Sequence, residues 1–383
     1  MVKLDPFWMY SAVESRVDDL SRIYFKKKEE CEALRSQFEN ALKLDPQVMF
    51  ESNNAEYPTI PLENRWISSI RPDFKSIEEM MAWAHGVLEG KLVAAVDGSQ
   101  IPYDRANSIP TALCRSFLFA NKHDGSCITK DCCRCLLPQD SLEMSRDETI
   151  ILPDLSFRRF ASEIDIALNN LSLEMDVLLL DGPLIMSFLH LYRKNVYRSR
   201  YIGKLLALLK SAEKKVALIG YLDVSHAKDL TKTAGSLFGL NTSNLTDPEL
   251  LNDYLGVFDR TCAFLSQDSI LQQYRGNVDG KRVDYSNQMC FAYLRVNSQR
   301  PVRIEFPRWV VAEGKLNDIT RLICASSAIG AGYPYELSKA HENVVLGSED
   351  QANFQRVVEA IASQNEFEFA ASLKHIRKEN PVQ

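Results

Sequence analysis

Two aspartates in this chain follow directly on runs of apolar residues. Leu92-Val93-Ala94-Ala95-Val96 leads into Asp97-Gly98-Ser99, and Val177-Leu178-Leu179-Leu180 leads into Asp181-Gly182-Pro183. Short uninterrupted apolar runs read as strands buried on both faces of a sheet. The carboxyl ends of such strands form the rim where open α/β folds hold their ligands. Two ionised carboxylates at that rim repel unless a proton or a cation offsets them. The pair is therefore a candidate site for divalent cations, set against the plainer reading that each aspartate caps a following helix. Burying the apolar side chains contributes about 1.5–3 kcal/mol each and fixes where the carboxylates stand. Asp124-Gly125 and Asp279-Gly280 lie among polar residues and read as turns.

Two further residues are out of keeping with their surroundings. Glu163 falls on the apolar stripe formed by Phe160, Ile164, Ala167 and Leu171. A carboxylate on a buried face needs a partner, either a shared cation or Arg159 one helical turn earlier. His341 is flanked at helical spacing by Leu337, Val344 and Val345, which puts it on the apolar side of a late helix. The plainer reading there is a hydrogen-bonded core histidine. Just upstream, Pro334 suits a helix start, which leaves Tyr333 in the entry loop near a helix N-terminus of the kind that attracts phosphate. A basic stretch follows the second aspartate: Arg193, Lys194, Arg198, Arg200 and Lys204, with Tyr192, Tyr197 and Tyr201 interleaved and no acidic residue among them. Positive charge with stacking surface suits single-stranded nucleic acid; a solvated helix face is the ordinary alternative.

Elements must hold these residues in place. Val13, Val17, Leu20 and Tyr24, then Cys31, Leu34, Phe38 and Leu42, recur at spacings of three and four and predict one long helix over 8–45. Such a helix covers its own domain or pairs with a second subunit, and its charged stretch from Lys26 to Glu30 reads as a solvated face. Residues 46–66 are rich in Asn, Pro and Glu and read as a connecting loop. The core begins near Phe74, with a helix over Ile77–Leu88 and a strand over Leu92–Val96. A hairpin of Ala112–Asn121 and Cys127–Leu137 turns at Asp124-Gly125. Then come a helix from Phe157 to Glu174, the Val177–Leu180 strand, a helix from Ile202 to Glu213 and the Val216–Leu222 strand. That order predicts an α/β fold: a mixed sheet flanked by helices, three strands antiparallel and the rest added by crossovers. Polar residues 224–256 read as an insertion. A second hairpin, Met289–Val296 with Val302–Phe306, and helices over Ile319–Ala331 and Leu337–Leu346 complete the pattern. The expected division is 1–66 as an N-terminal helical extension with linker and 67–383 as the main domain.

Composition narrows the classes. The chain has 383 residues, 45% hydrophobic and 25% charged, as in ordinary soluble globular proteins. It lacks a signal-peptide layout and any apolar run near the ~20 residues of a membrane span, so a cytoplasmic protein with no membrane contact is expected. A formal net charge of −6 counts against a stand-alone, sequence-specific DNA binder. Any nucleic-acid contact must be local, confined to a groove, or assisted by a partner. Cys114, Cys127, Cys132, Cys133 and Cys135 lie close in sequence, with Cys132 and Cys135 in a C-x-x-C pair. No second pair follows at zinc-finger spacing, and reduced thiols in a hairpin are the better reading.

Taken in order, the motifs resemble the NurA nuclease family of prokaryotic DNA-end processing. The matching pieces are Val96-Asp97-Gly98-Ser99, Glu163 on the following helix, Leu180-Asp181-Gly182-Pro183-Leu184, Pro301-Val302-Arg303-Ile304-Glu305-Phe306-Pro307, and Tyr333-Pro334 with Ala340-His341. The resemblance implies an RNase H-like fold, with Asp97, Glu163 and Asp181 as metal ligands and Tyr333 and His341 completing the catalytic set. It also implies manganese as cofactor, DNA as substrate, a homodimer, and a hexameric HerA-type ATPase as partner; three carboxylates by their own chemistry suit Mn²⁺ or Mg²⁺, two ions together. The basic residues from Arg193 to Lys204 would line the strand path. The third strand departs from the family pattern by ending in Asp223, where a basic residue is expected, and the cysteine-rich hairpin is not a family hallmark. Two other classes compete. A sugar-kinase or actin-like phosphotransferase would need further glycine-rich loops, and the 16 glycines here include no adjacent pair. A non-catalytic helicase-associated subunit would not need all three carboxylates.

Overall fold

The computed structural model describes residues 5–47, 59–103, 110–137, 152–192, 195–242 and 244–366. The chain divides into two compact units: Met1–Arg71 with Leu222–Asp268 and Cys290–Ile304, and Pro72–Tyr221 with Ser269–Met289 and Glu305–Gln383. No helix among the described residues is long and apolar enough to cross a membrane.

The second unit carries the sheet expected from the sequence, in the order Ala217–Leu222, Val177–Asp181, Val93–Ile101, Ala112–Asn121, Cys127–Leu136. The Val93, Val177 and Ala217 strands are parallel. The Ala112 and Cys127 strands continue the sheet antiparallel. A three-strand meander extended by two parallel crossover strands is an RNase H-like mixed sheet. The apolar runs that predict the parallel strands are buried throughout: Val93 to Val96, Val177 to Leu180 and Ala217 to Tyr221. Strand Val93–Ile101 outlasts its parallel neighbour because the antiparallel partner pairs with it as far as Leu113. Helices Leu152–Asn169 and Tyr335–Val344 both pack on the Val93 and Ala112 strands. A small hairpin, Arg275–Val278 with Lys281–Asp284, turns at Asp279-Gly280 as expected, both residues at positive φ (49° and 76°).

In the first unit the single helix expected over 8–45 is two helices, Pro6–Glu14 and Val17–Ala41. The break falls at Ser15, whose hydroxyl turns back to the Ala12 carbonyl at 2.8 Å. The predicted apolar stripe is used only in part. Leu34 and Phe38 are buried, and Phe38 packs edge-on against Trp66 and Tyr254, both at 5.4 Å. Val13, Val17, Leu20 and Tyr24 are exposed. The Lys26–Glu30 stretch is not simply solvated. Lys27 pairs with Glu249 at 3.1 Å, and Glu30 accepts from the backbone and side-chain N–H groups of Asn244. Within 224–256 the helices Asp229–Phe238 and Asp247–Leu251 are joined by Asp247. This fully buried carboxylate accepts from the N–H groups of Leu230 and Thr231 and the hydroxyls of Thr231 and Tyr293.

Candidate active site

Val96 and Leu180 are partners in the parallel register, so Asp97 and Asp181 each stand one residue past the same pair. The strand runs thus deliver two carboxylates side by side at one rim of the sheet. Asp97 is 5% exposed, whereas Asp181 ends its strand in the open. The next residue, Gly182, has φ 140° and donates its N–H to the Tyr221 carbonyl at 3.1 Å, a turn that a side chain would strain. The loop beyond is pinned from below. Ile185 N–H donates to Glu305 at 2.7 Å, and Met186 N–H donates to the Tyr274 hydroxyl at 3.0 Å.

His341 comes to the same rim from helix Tyr335–Val344. Its Nδ1 lies 2.8 Å from Asp97 Oδ2, and the other Asp97 oxygen accepts the Gly98 N–H at 2.6 Å. Ligand atoms of Asp97, Asp181 and His341 all lie within 4.8 Å of one another. An ionised carboxylate only accepts, so Nδ1 is the donor in this contact. The histidine is not a core residue as its spacing implied. Leu337, Ala340 and Val344 are buried, while the His341 side chain is 62% exposed at the helix edge. Its helix is held at both ends. The Ser326 hydroxyl accepts the Tyr335 N–H at 2.8 Å and donates to Glu336, a buried carboxylate that meets His123 Nε2 at 3.1 Å. Beyond the helix, Leu346 N–H donates to Ser99 at 3.3 Å.

Glu163 arrives from the opposite face of the sheet. Successive side chains on a strand alternate in direction, so Asp97 points towards the His341 helix and Gly98 towards helix Leu152–Asn169. The space a Gly98 side chain would fill is taken by the Glu163 carboxyl. The helix is registered there by a buried hydrogen bond between Ser162 and Ser116, 2.8 Å long, with Ser116 directly opposite Gly98 on the neighbouring strand. Arg159 donates to Glu163 at 2.8 Å and to the Gly98 carbonyl at 3.2 Å. Burial pushes the Glu163 carboxyl up to about 7; Arg159 opposes the rise, and Asp97 and Asp181 add to it. Glu163 therefore borders the Asp97–Asp181–His341 group rather than belonging to it as the structure stands. Tyr333 packs edge-on against Tyr221 at 5.3 Å, and Tyr221 is the register partner of Asp181.

A family model for the NurA domain matches residues 91–346. The chain belongs to the NurA family. In structure it is similar to the NurA nuclease from Sulfolobus solfataricus, with a TM-score of 0.58 at 13% identity over 95% of this chain and 98% of that one. Weaker likenesses join it to the catalytic domain of human Endonuclease V (TM-score 0.34, 13% identity, covering 73% and 89%) and to Endonuclease V from Bacillus subtilis (0.32, 11%, 78% and 99%). Both are too distant to bear on the site. Among curated proteins none matches this chain.

Elsewhere this NurA-family chain departs from the residue-level reading. Arg193 and Lys194 lie outside the described residues. Arg198 is spent on the carbonyls of Leu189 and His190, and Lys204 on Asp165 at 2.5 Å; Arg200 is exposed. Tyr197 and Tyr201 offer no stacking surface. They are buried, and Tyr201 sits among Phe157, Phe160, Phe188 and Tyr192. Asp223 lies in the other compact unit, where partial burial raises its carboxyl. Cys132 and Cys135 share one strand at an odd separation, so they point to opposite faces of it. Two residues of consequence were not singled out from the sequence. Sequence marks Arg159 only as a partner for Glu163. Glu305, buried at 2% exposure, was visible as a charge inside the apolar strand Val302–Pro307.

Proposed function

We propose that this chain is a divalent-cation-dependent DNA nuclease that hydrolyses phosphodiester bonds during DNA end resection. One observation carries the reading: Asp97, Asp181 and His341 converge within 4.8 Å at the rim of parallel strands, in a chain of the NurA family. The donor set suits the group. Carboxylate oxygens favour Mg²⁺ and Mn²⁺, and an imidazole is tolerated by Mn²⁺. Asp97 and Asp181 would hold the metal, with Glu163 joining from the far face once its proton has left. Two bound ions would supply Lewis-acid polarisation of the scissile phosphate and a more acidic water.

The remaining steps fall to side chains. Asp97 fixes the His341 tautomer, and the exposed Nε2 takes a proton from an attacking water, as a general base does. Tyr333, steadied by Tyr221, offers its hydroxyl to a phosphate oxygen. Arg200 is the described member of the basic stretch left to meet a DNA strand. The exposed apolar faces of the two N-terminal helices support a homodimer, and a hexameric HerA-type ATPase that delivers DNA in the cytoplasm completes the reading.

The test is degradation of end-labelled linear DNA by purified protein with Mn²⁺, with Mg²⁺ and with EDTA. Asp97→Ala and Asp181→Ala should each lose at least about a thousandfold in rate while circular dichroism shows the fold retained. Undiminished cleavage by both variants would end the proposal.

A further inference from the structure

Arg159 occupies an unusual post. Its Nη1 serves two acceptors at once, Glu163 Oε1 at 2.8 Å and the Gly98 carbonyl at 3.2 Å. A guanidinium carries five N–H donors in a planar fork, and the side chain that bears it is 35% exposed. The carboxylate it holds feels the charge of two others, Asp97 and Asp181. A cation taken up by Glu163 must therefore compete with the guanidinium for the same oxygens. A guanidinium released by Glu163 in this way would be free to meet a phosphate oxygen of a strand brought to the cation. Phosphate matches the fork as well as carboxylate does.

We propose that Arg159 is a substrate-positioning residue that exchanges partners. It restrains Glu163 before the metal arrives, then releases it and takes a non-bridging oxygen of the DNA strand. This rests on the nuclease reading and names a contact for the substrate. It also explains why so acidic a rim can admit a polyanion: one guanidinium leaves a carboxylate as a metal ion replaces it, and its charge then serves the strand.

Two binding measurements test the exchange without relying on turnover. One is calorimetric titration of the protein with Mn²⁺ in the absence of DNA. The other is the fluorescence anisotropy of a labelled, cleavage-resistant phosphorothioate oligonucleotide with Mn²⁺ present. Arg159→Ala should bind the oligonucleotide about 10- to 100-fold more weakly, as expected for a lost charge-assisted contact. Its Mn²⁺ affinity without DNA should hold or rise, because a competitor for Glu163 has gone. Arg159→Lys, which keeps a charge but not the fork, should recover DNA affinity in part, and it serves as the folding-competent variant if alanine is not tolerated. Weaker Mn²⁺ binding with unchanged DNA affinity would overturn the proposal, leaving Arg159 as a support for Glu163 alone. Unchanged values in both measurements would overturn it as well. If the wild-type protein showed the expected binding pattern yet cut no DNA, the nuclease reading would fall and the phosphate contact would stand.

Discussion

Glu163 holds its proton to about 7 because its carboxyl is nearly buried beside two other acids. The ordinary carboxyl value is 4.5. Between these values the folded protein binds a proton that the unfolded chain has released, so stability falls as pH rises across that window. The contribution is complete below the ordinary value and gone once pH passes the folded one. Glu163→Gln removes this liability. In metal-free protein its melting temperature should exceed the wild type's by several degrees at pH 8, on the order of 2 kcal/mol. The two should nearly coincide at pH 4.5, and Mn²⁺ should close the gap at pH 8 by favouring the ionised wild-type carboxylate. Thermal scans across pH with and without Mn²⁺ measure this, and a gap independent of pH refutes the assignment. At this scale the sequence was only partly legible. Glu163 betrayed itself by standing on an apolar stripe. The meeting of His341 with Asp97 did not, since 244 residues separate them and no local spacing encodes such a contact.

The dipeptide Asp97-Gly98 takes on meaning only within its strand. Alternation sends Asp97 to one face and leaves a gap on the other, through which a helix presents Glu163. Gly98→Ala should fill that gap and displace the Glu163 carboxyl while leaving the Asp97–His341 contact undisturbed. Cleavage should then fall about a hundredfold, while circular dichroism stays native; wild-type rates would show that Glu163 has no part at the rim. Elements of this kind were legible. Apolar runs ending in Asp marked the parallel strands, two of them with Asp-Gly, and Asp124-Gly125 placed the hairpin. Tyr197 and Tyr201 were not legible, because spacing cannot tell a ring stacked in solvent from one buried among phenylalanines. Tyr201 lies on the core side of a helix whose other side carries Arg200. The break at Ser15 was hidden too, because the apolar spacing runs on across it.

For the molecule as a whole, Phe7, Trp8, Tyr10, Val13, Val17, Leu20 and Tyr24 are large apolar residues exposed on the first two helices. Contiguous apolar patches mark association surfaces. Replacing Phe7, Trp8, Val13 and Leu20 with polar residues should turn a dimer into a monomer in sedimentation equilibrium and leave the melting temperature within a few degrees of wild type. An unchanged mass would place the subunit contact elsewhere. A protein emerges from the ribosome N-terminus first, and that gives the His341–Asp97 contact a temporal side. All three acids are translated well before the imidazole, which arrives only with residue 341 and the helix that Ser326 and Glu336 anchor. A nascent or prematurely terminated chain that stops short of this helix would thus hold its acids without the His341 contact to Asp97.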